Sequence, residues 1–243
     1  MLGQLEATDE YTNQGALIGL DGDNEELIGE VLGALKKMNP LKRARVMNRL
    51  TANPPASKGS RAEMEKHFSE LPPHIREALK KGELRLADTV IYSVKPVTSK
   101  TIKLFETQDD KEIGLRSISN AKLPKNQALL VSGIILLAGV STEPTKDSIM
   151  STPYRNLELF PAIANGEFSL KSNKKQLVPD GTSNNVFKTQ GFTAVPAGYY
   201  KLANPRLIHD DILIEMTIEL GTMVGIEPNT HLWAGLHGTI TTP

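Results

Sequence analysis

Apolar and polar side chains alternate over long stretches of the second part of this 243-residue chain. The clearest case runs from Ile212 to Leu220, and Leu232 to Ile240 repeats the pattern. Successive side chains of a β-strand point to opposite faces, so this period of two predicts strands with one buried face. Shorter alternating runs predict further strands near residues 90–94, 102–104 and 167–171. Seven or eight strands without an intervening helical period predict a mainly β domain, a single jelly roll or other β-sandwich.

The run from Ala128 to Val140 differs because it is apolar at both parities. A strand with this pattern is buried on both faces, as a central strand would be. Turn-forming residues are frequent in residues 144–153, 179–185 and 195–199, and we predict loops there.

Residues 1–85 have a different character, polar and with a helical period. Asp23 or Asn24 can cap a first helix, whose apolar face holds Leu27, Ile28, Val31, Leu32, Leu35 and Met38. Further helices are predicted over 41–50, 61–70 and 73–81, with a Pro-rich linker near 53–60. The chain is therefore predicted to divide into a small α-helical N-terminal region, 1–85, and a β-sandwich domain, 86–243.

Composition excludes several classes of protein. The chain has no cysteine, which removes disulfide frameworks, zinc ribbons and cysteine nucleophiles. Lys and Arg number 28 and so do Asp and Glu, which argues against attraction of the whole chain to a polyanion. No segment reaches the roughly 18 consecutive apolar residues of a membrane span, and the acidic N-terminus does not resemble a signal peptide.

Histidines provide few candidates for chemistry. His209, Asp210 and Asp211 are adjacent and could bind a metal or transfer a proton, although a polar turn into the strand at Ile212 is the favoured interpretation. His231 and His237 are six residues apart on one predicted strand, a separation of about 20 Å at the usual rise, so they cannot share an ion.

Other possible motifs are incomplete. The acidic stretch Asp21–Glu26 lacks the spacing and the entering helix of a calcium hand, and helix capping explains it. Ser132-Gly133 and Thr222 have no nucleophile-elbow pattern around them, and no phosphate-binding glycine fingerprint occurs. The sequence therefore predicts no catalytic residue, no cofactor and no metal site, and the chain is predicted not to be an enzyme.

Charge is segregated along the N-terminal region. Residues 1–30 contain eight acids and no base, whereas residues 31–66 contain nine bases and two acids. Lys42, Arg43, Arg45 and Arg49 could contact a polyanion such as the genome, or an acidic neighbouring subunit. The alternative, a solvated helix face against which the acidic leader folds, is slightly favoured. No aromatic residue lies among these bases to stack on single strands.

Three segments of residues 86–243 resemble the layout of one protein family. They are a short strand after Asn-Gly, Asn165–Lys171; a Pro-led loop into a long strand, Asn204-Pro205-Arg206 to Leu220; and a closing strand, His231–Ile240. The chain is similar in these features to the jelly-roll coat proteins of tailless icosahedral bacteriophages, such as the finnlakeviruses and corticoviruses. Major coat proteins of membrane-containing phages commonly have two jelly rolls, and this chain has room for one.

The resemblance implies a structural virion protein made in the host cytoplasm, a self-assembling coat subunit whose partners are copies of itself and other virion proteins. The helical N-terminal region would then be an internal arm. A phage neck or tail component remains an alternative, as does a carbohydrate- or ligand-binding β-sandwich module. Few aromatic residues are present to bind sugars, and core packing is the favoured role of Trp233 and Tyr199-Tyr200. An enzyme on a cupin-like barrel would need His209, His231 and His237 to converge.

Overall fold

A computed structural model describes Met64 and residues 66–189 and 196–243. The chain forms two compact units, Met1–Lys66 and His67–Pro243. The predicted helices before residue 61, the linker near 53–60 and the bases Lys42, Arg43, Arg45 and Arg49 lie outside the described residues.

The described part of His67–Pro243 contains three α-helices: α1 (Pro73–Lys81), α2 (Lys146–Met150) and α3 (Pro161–Ala164). Helix α1 confirms the prediction over 73–81, since it begins at a proline and ends at Gly82, whose φ of 77° is the left-handed cap that glycine adopts readily. Helix α2 lies where a loop was predicted, because the Thr145 side chain accepts a hydrogen bond from the Ser148 backbone N–H and so caps a single turn. Short 3-10 turns occupy Phe68–Glu70, Leu157–Leu159 and Asn184–Phe187.

Eight β-strands form two four-stranded antiparallel sheets, which confirms the mainly β prediction and is consistent with a sandwich. The strands are β1 (Arg85–Pro96), β2 (Thr101–Lys103), β3 (Ala128–Val140), β4 (Glu167–Ser172), β5 (Lys175–Ser183), β6 (Tyr199–His209), β7 (Ile214–Glu219) and β8 (Thr230–Thr242). The first sheet has the order β1-β8-β3-β6 and the second has the order β2-β7-β4-β5.

The pairings between strands are nested along the chain. The first strand pairs with the eighth, the second with the seventh, the third with the sixth and the fourth with the fifth, all antiparallel. Two further pairings, β3 with β8 and β4 with β7, complete the sheets. The chain therefore follows one long hairpin whose two arms are folded over together, so that successive stretches enter alternate sheets.

The core lies between the two sheets and is apolar. Core side chains alternate along β7 as predicted, with Ile214, Met216 and Ile218 buried. On β3 the side chains that enter the core change parity, from Leu129 and Val131 to Ile134 and the even positions after it. A bulge between Val131 and Gly133 causes this change, because an extra residue rotates the strand by one face. The apolar residues at both odd and even positions of this segment therefore have two causes. The strand is buried on both faces, and the bulge moves the core-facing side chains from odd to even positions.

Two sequence predictions were wrong at prolines. Residues 179–185 were expected to be a loop, but β5 continues to Ser183, with residues 179–181 bulged opposite Ser169. Asn204-Pro205-Arg206 was expected to lead into one long strand, but it lies within β6, where the pairing with β3 shifts. Both strands are sheet edges, where proline does not remove a ladder hydrogen bond that the sheet needs.

Candidate functional site

His209 is the last residue of β6, and Asp210 and Asp211 form the turn that follows it. Asp211 has a left-handed φ of 59°, and an Asp210 carboxylate oxygen accepts a hydrogen bond from the Asn126 backbone N–H at 2.7 Å. The same carboxylate lies 3.6 Å from His74 Nε2 on α1. These contacts tie neighbouring loops together and agree with the structural interpretation of the group.

The other two histidines of interest are at separate points of β8. His231 is buried, and its Nδ1 lies 2.7 Å from the Asn229 carbonyl oxygen. Burial lowers the pKa of His231, against the opposing effect of that hydrogen bond. His237 Nδ1 lies 3.3 Å from Ser132 Oγ and 3.5 Å from the Tyr199 hydroxyl. The structure does not bring His231, His237 and His209 together as a cupin-like site requires.

Ser132, Tyr199 and His237 form a small polar cluster on the face of the first sheet that is turned away from the core. The Tyr199 ring lies over Gly133, where a Cβ would come 2.2 Å from its hydroxyl oxygen, and it meets the His237 ring edge-on at 5.6 Å. Burial raises the pKa of Tyr199. Ser132 and Tyr199 both contact Nδ1 of His237. The cluster therefore lacks the arrangement of a nucleophile whose base is oriented by a third group, and it fills the surface at the β3 bulge.

Two aromatic residues differ from the core packing expected of them. Trp233 and Tyr199 lie on the outer face of the first sheet and are half-buried, and Trp233 stacks on Tyr92 with ring centroids 5.7 Å apart. Tyr200 does pack against the core, edge-on to Phe168 and Phe187. The register explains the difference, because neighbouring residues of a strand face opposite ways.

Metal and membrane sites were also sought. Across the described ranges, no group of three or more His, Asp or Glu residues could hold a metal ion. Within those same ranges, no helix is both long and apolar enough to cross a bilayer.

Part of the loop between β2 and β3, residues 105–121, lies along the free edge of β1 at residues 92–94. The Val94 N–H donates to the Leu115 carbonyl at 2.8 Å, and the Ser117 N–H donates to the Tyr92 carbonyl at 3.0 Å. Beneath the loop, Lys95 is paired with Glu106 at 2.5 Å and with Asp109 at 2.8 Å. These contacts shield an edge strand that could otherwise pair with another chain.

At the tip of this 105–121 loop, Ile113 is 87% exposed, the highest value of any large apolar residue in the described part of the chain. Glu112 beside it pairs with Arg116 at 3.0 Å and with Lys146 of α2 at 2.5 Å. The hydrogen bond from Lys146 lowers the pKa of Glu112. On the other side, Met150 lies so close to Gly114 that a Cβ there would meet its sulfur at 2.7 Å. Backbone hydrogen bonds between Glu112 and Arg116, at 3.0 and 2.8 Å, close the turn that carries Ile113. We call Ile113 and Met150 the knob.

A groove of about 540 Å³ lies between the edge strands β5 and β6. Leu177, Leu207 and Ile212 supply partly buried apolar surface, and Lys175 and Arg206 are exposed at its sides. His67 and Glu70 also line it. We call this feature the groove.

Sequence reasoning did not find the knob or the groove. The available signal for the knob was one isoleucine within the charged stretch Asp109–Gly114. No signal was available for the groove, because its walls are edge strands that were predicted to be loops or missed.

The chain was also compared with known proteins. No protein family model matches it, and no curated protein matches it in sequence.

Proposed function

We propose that this chain is a structural, non-catalytic coat subunit of a bacteriophage capsid, built on a single jelly roll. The observation that carries the proposal is the nested pairing of eight strands, in the sheet orders β1-β8-β3-β6 and β2-β7-β4-β5. Two Greek keys in two packed sheets define a jelly roll, an architecture found in viral capsid domains, lectins and cupins.

Two features favour the capsid role over the other jelly-roll roles. The three histidines that a cupin-like centre would use lie at separate positions on β6 and β8. The loops on the described surface present apolar side chains to solvent, among them Ile113, Leu159 and Val224, at 87%, 62% and 82% exposure. A subunit that is covered on many sides by neighbours would bury such side chains, which removes apolar surface from water.

The experiment is assembly of the purified full-length chain, followed by size-exclusion chromatography and negative-stain electron microscopy across a range of concentrations and salts. Shells, rings or large regular oligomers are the expected result. A chain that stays a monomer throughout, including with other proteins of its virion, would overturn the proposal.

The basic residues Lys42, Arg43, Arg45 and Arg49 remain predicted contacts of the genome or of an acidic neighbour. If they bind DNA, the full-length chain should lose affinity steeply with salt. Replacing all four by glutamine should then reduce the slope of log K against log salt by about 3 to 4. Equal slopes for the two proteins would assign these residues to protein contacts or to a solvated surface.

A second candidate function is saccharide binding on the outer face of the first sheet, which the half-exposed Trp233 and Tyr92 favour. Aromatic rings bind the apolar faces of sugars. Trp233→Ala should then abolish glycan binding by the full-length chain, measured on a glycan array, whereas assembly should be unchanged. Absence of binding by the wild-type chain would remove this candidate.

A further inference from the structure

We propose that neighbouring copies of this chain join head to tail, with the knob of one copy seated in the groove of the next. The inference rests on the proposed function, self-assembly, and adds to it the two contacting surfaces and the type of symmetry. Four observations support it: rigidity of the knob, shape of the groove, their positions in the fold, and their charges.

The knob has the character of an interface anchor. Ile113 is 87% and Met150 is 45% exposed, so burying them against a partner would remove apolar surface from water. Backbone hydrogen bonds between Glu112 and Arg116, at 3.0 and 2.8 Å, close the turn around Ile113, and the Gly114 N–H donates to the Tyr92 hydroxyl at 3.0 Å. Because the loop is already ordered, little conformational entropy would be lost on binding.

The groove can receive such a side chain. Its volume of about 540 Å³ exceeds that of an isoleucine side chain, and Leu177, Leu207 and Ile212 offer apolar contacts. The residues on either side are polar, which is the usual arrangement of a hydrophobic centre within a polar rim.

The knob and the groove lie at opposite sides of the sandwich. The 105–121 loop runs along β1, the first strand in one sheet order, and the chain passes directly from β1 to β2, the first strand in the other. The groove lies between β6 and β5, the last strands in the same two orders. A contact between opposite sides is heterologous, and repeating it gives a ring if the rotation closes and an open filament if it does not.

The charges of the two surfaces are complementary. Acids exceed bases by one among residues 106–116, α2 and Lys95, which pairs with Glu106 and Asp109. The bases are Lys95, Lys111, Arg116 and Lys146. The acids are Glu106, Asp109, Asp110, Glu112 and Asp147. The charged groups of the groove are Lys175 and Arg206 against Glu70, with two histidines beside them. A net negative knob and a net positive groove favour this pairing and disfavour knob against knob.

The chain contains no cysteine, so introduced cysteines report on this contact without background. Ile113→Cys with Gln176→Cys on the groove wall should give a ladder of covalent multimers with a short bismaleimide under assembly conditions. Ile113→Cys alone should stay monomeric on a denaturing gel. The matched control is Val224→Cys with Gln176→Cys, since Val224 is 82% exposed on another loop; it should give no ladder.

The second measurement is sedimentation velocity of Ile113→Lys and Arg206→Glu, each expected to weaken self-association at least about tenfold. Dimers from Ile113→Cys alone would indicate a symmetric contact and overturn the proposal. The wild-type chain could assemble although the double cysteine variant gives no ladder and Ile113→Lys assembles as well as the wild type. That result would overturn the knob-and-groove contact and leave the proposed coat function standing. A wild-type chain that never assembles would overturn both.

Discussion

At the scale of single residues, close approach of backbones decides which positions accept a side chain. Gly238 on β8 lies against β3 at the bulge, and a Cβ there would come 1.8 Å from the Leu130 carbonyl oxygen. That oxygen belongs to a buried backbone held in a central strand, so it cannot move aside as a surface side chain could. Gly221, in contrast, has nothing within 4 Å of its hypothetical Cβ.

Gly238→Ala should therefore lower the free energy of unfolding by about 2 to 3 kcal/mol, since the two strands must separate locally. The measurement is urea denaturation followed by circular dichroism. Gly221→Ala is the matched control and should leave stability unchanged or raise it by up to about 1 kcal/mol. Equal effects of the two substitutions would contradict the close approach of β8 and β3.

The buried His231 should make stability depend on pH. Because burial lowers its pKa in the folded protein below the ordinary value of 6.5, the unfolded chain binds the proton more readily. The contribution of His231 to the free energy of unfolding should consequently be complete above about pH 7. It should decrease as the pH falls through 6.5 toward the pKa of His231 in the folded protein. Urea midpoints at several pH values for the wild type and His231→Gln test this, and the difference between the two proteins should shrink as the pH falls. A difference that is constant from about pH 8 to pH 5 would show that His231 does not contribute.

At the scale of elements, edge strands and their coverings govern the surface of this domain. The free edge of β1 is covered by the 105–121 loop at residues 92–94, and the free edges of β5 and β6 contain proline-bearing bulges. Sequence reasoning recognised β3, β7, β8 and α1, whose periodicity is regular. It missed β5 and misassigned β6, because Pro179 and Pro205 are typical of loops unless the strand is known to lie at an edge.

Lys95→Met should test the ionic contacts beneath the loop. The Lys95 side chain is 13% exposed and its removal leaves Glu106 and Asp109 without their cation, which should cost about 3 kcal/mol. Limited proteolysis should also become faster within residues 105–121. Lys80→Met is the control, because its pair with Glu77 is more than 60% exposed on both sides and should matter by less than about 1 kcal/mol. If Lys95→Met behaves like that control, the loop is held by its backbone hydrogen bonds alone.

At the scale of the whole molecule, nested pairing joins residues that are far apart in sequence. Strand β8 lies between β1 and β3 in the first sheet. Its pairing with β1 joins Arg85 to Thr242, near the opposite end of the domain sequence. Contacts between residues so far apart in the sequence form slowly during folding. The first sheet cannot be completed until β8 is present. The same arrangement places the knob and the groove on opposite sides, as head-to-tail assembly requires.

Removing residues 230–243 should therefore abolish cooperative unfolding, because β1 and β3 both lose their common partner. Removal of Pro243 alone is the control and should leave the transition intact. Thermal unfolding monitored by circular dichroism, with one-dimensional NMR for side-chain order, would show the difference. A truncated protein with a sharp transition and dispersed NMR signals would contradict the central position of β8.

The β-rich character of the residues after about 85, and the positions of the regular strands, could be predicted from the amino-acid sequence, since a period of two is a local property of the extended backbone. The identity of the edge strands, the place of the β3 bulge and the face that Trp233 occupies could not. Those features depend on the neighbouring strand, and neighbours such as β1 and β8 are separated by most of the domain. The knob and the groove also depend on tertiary structure, because each is formed by segments that lie apart in the sequence: Gly114, next to Ile113, lies against Met150 of α2, and Leu177 and Leu207 line one groove.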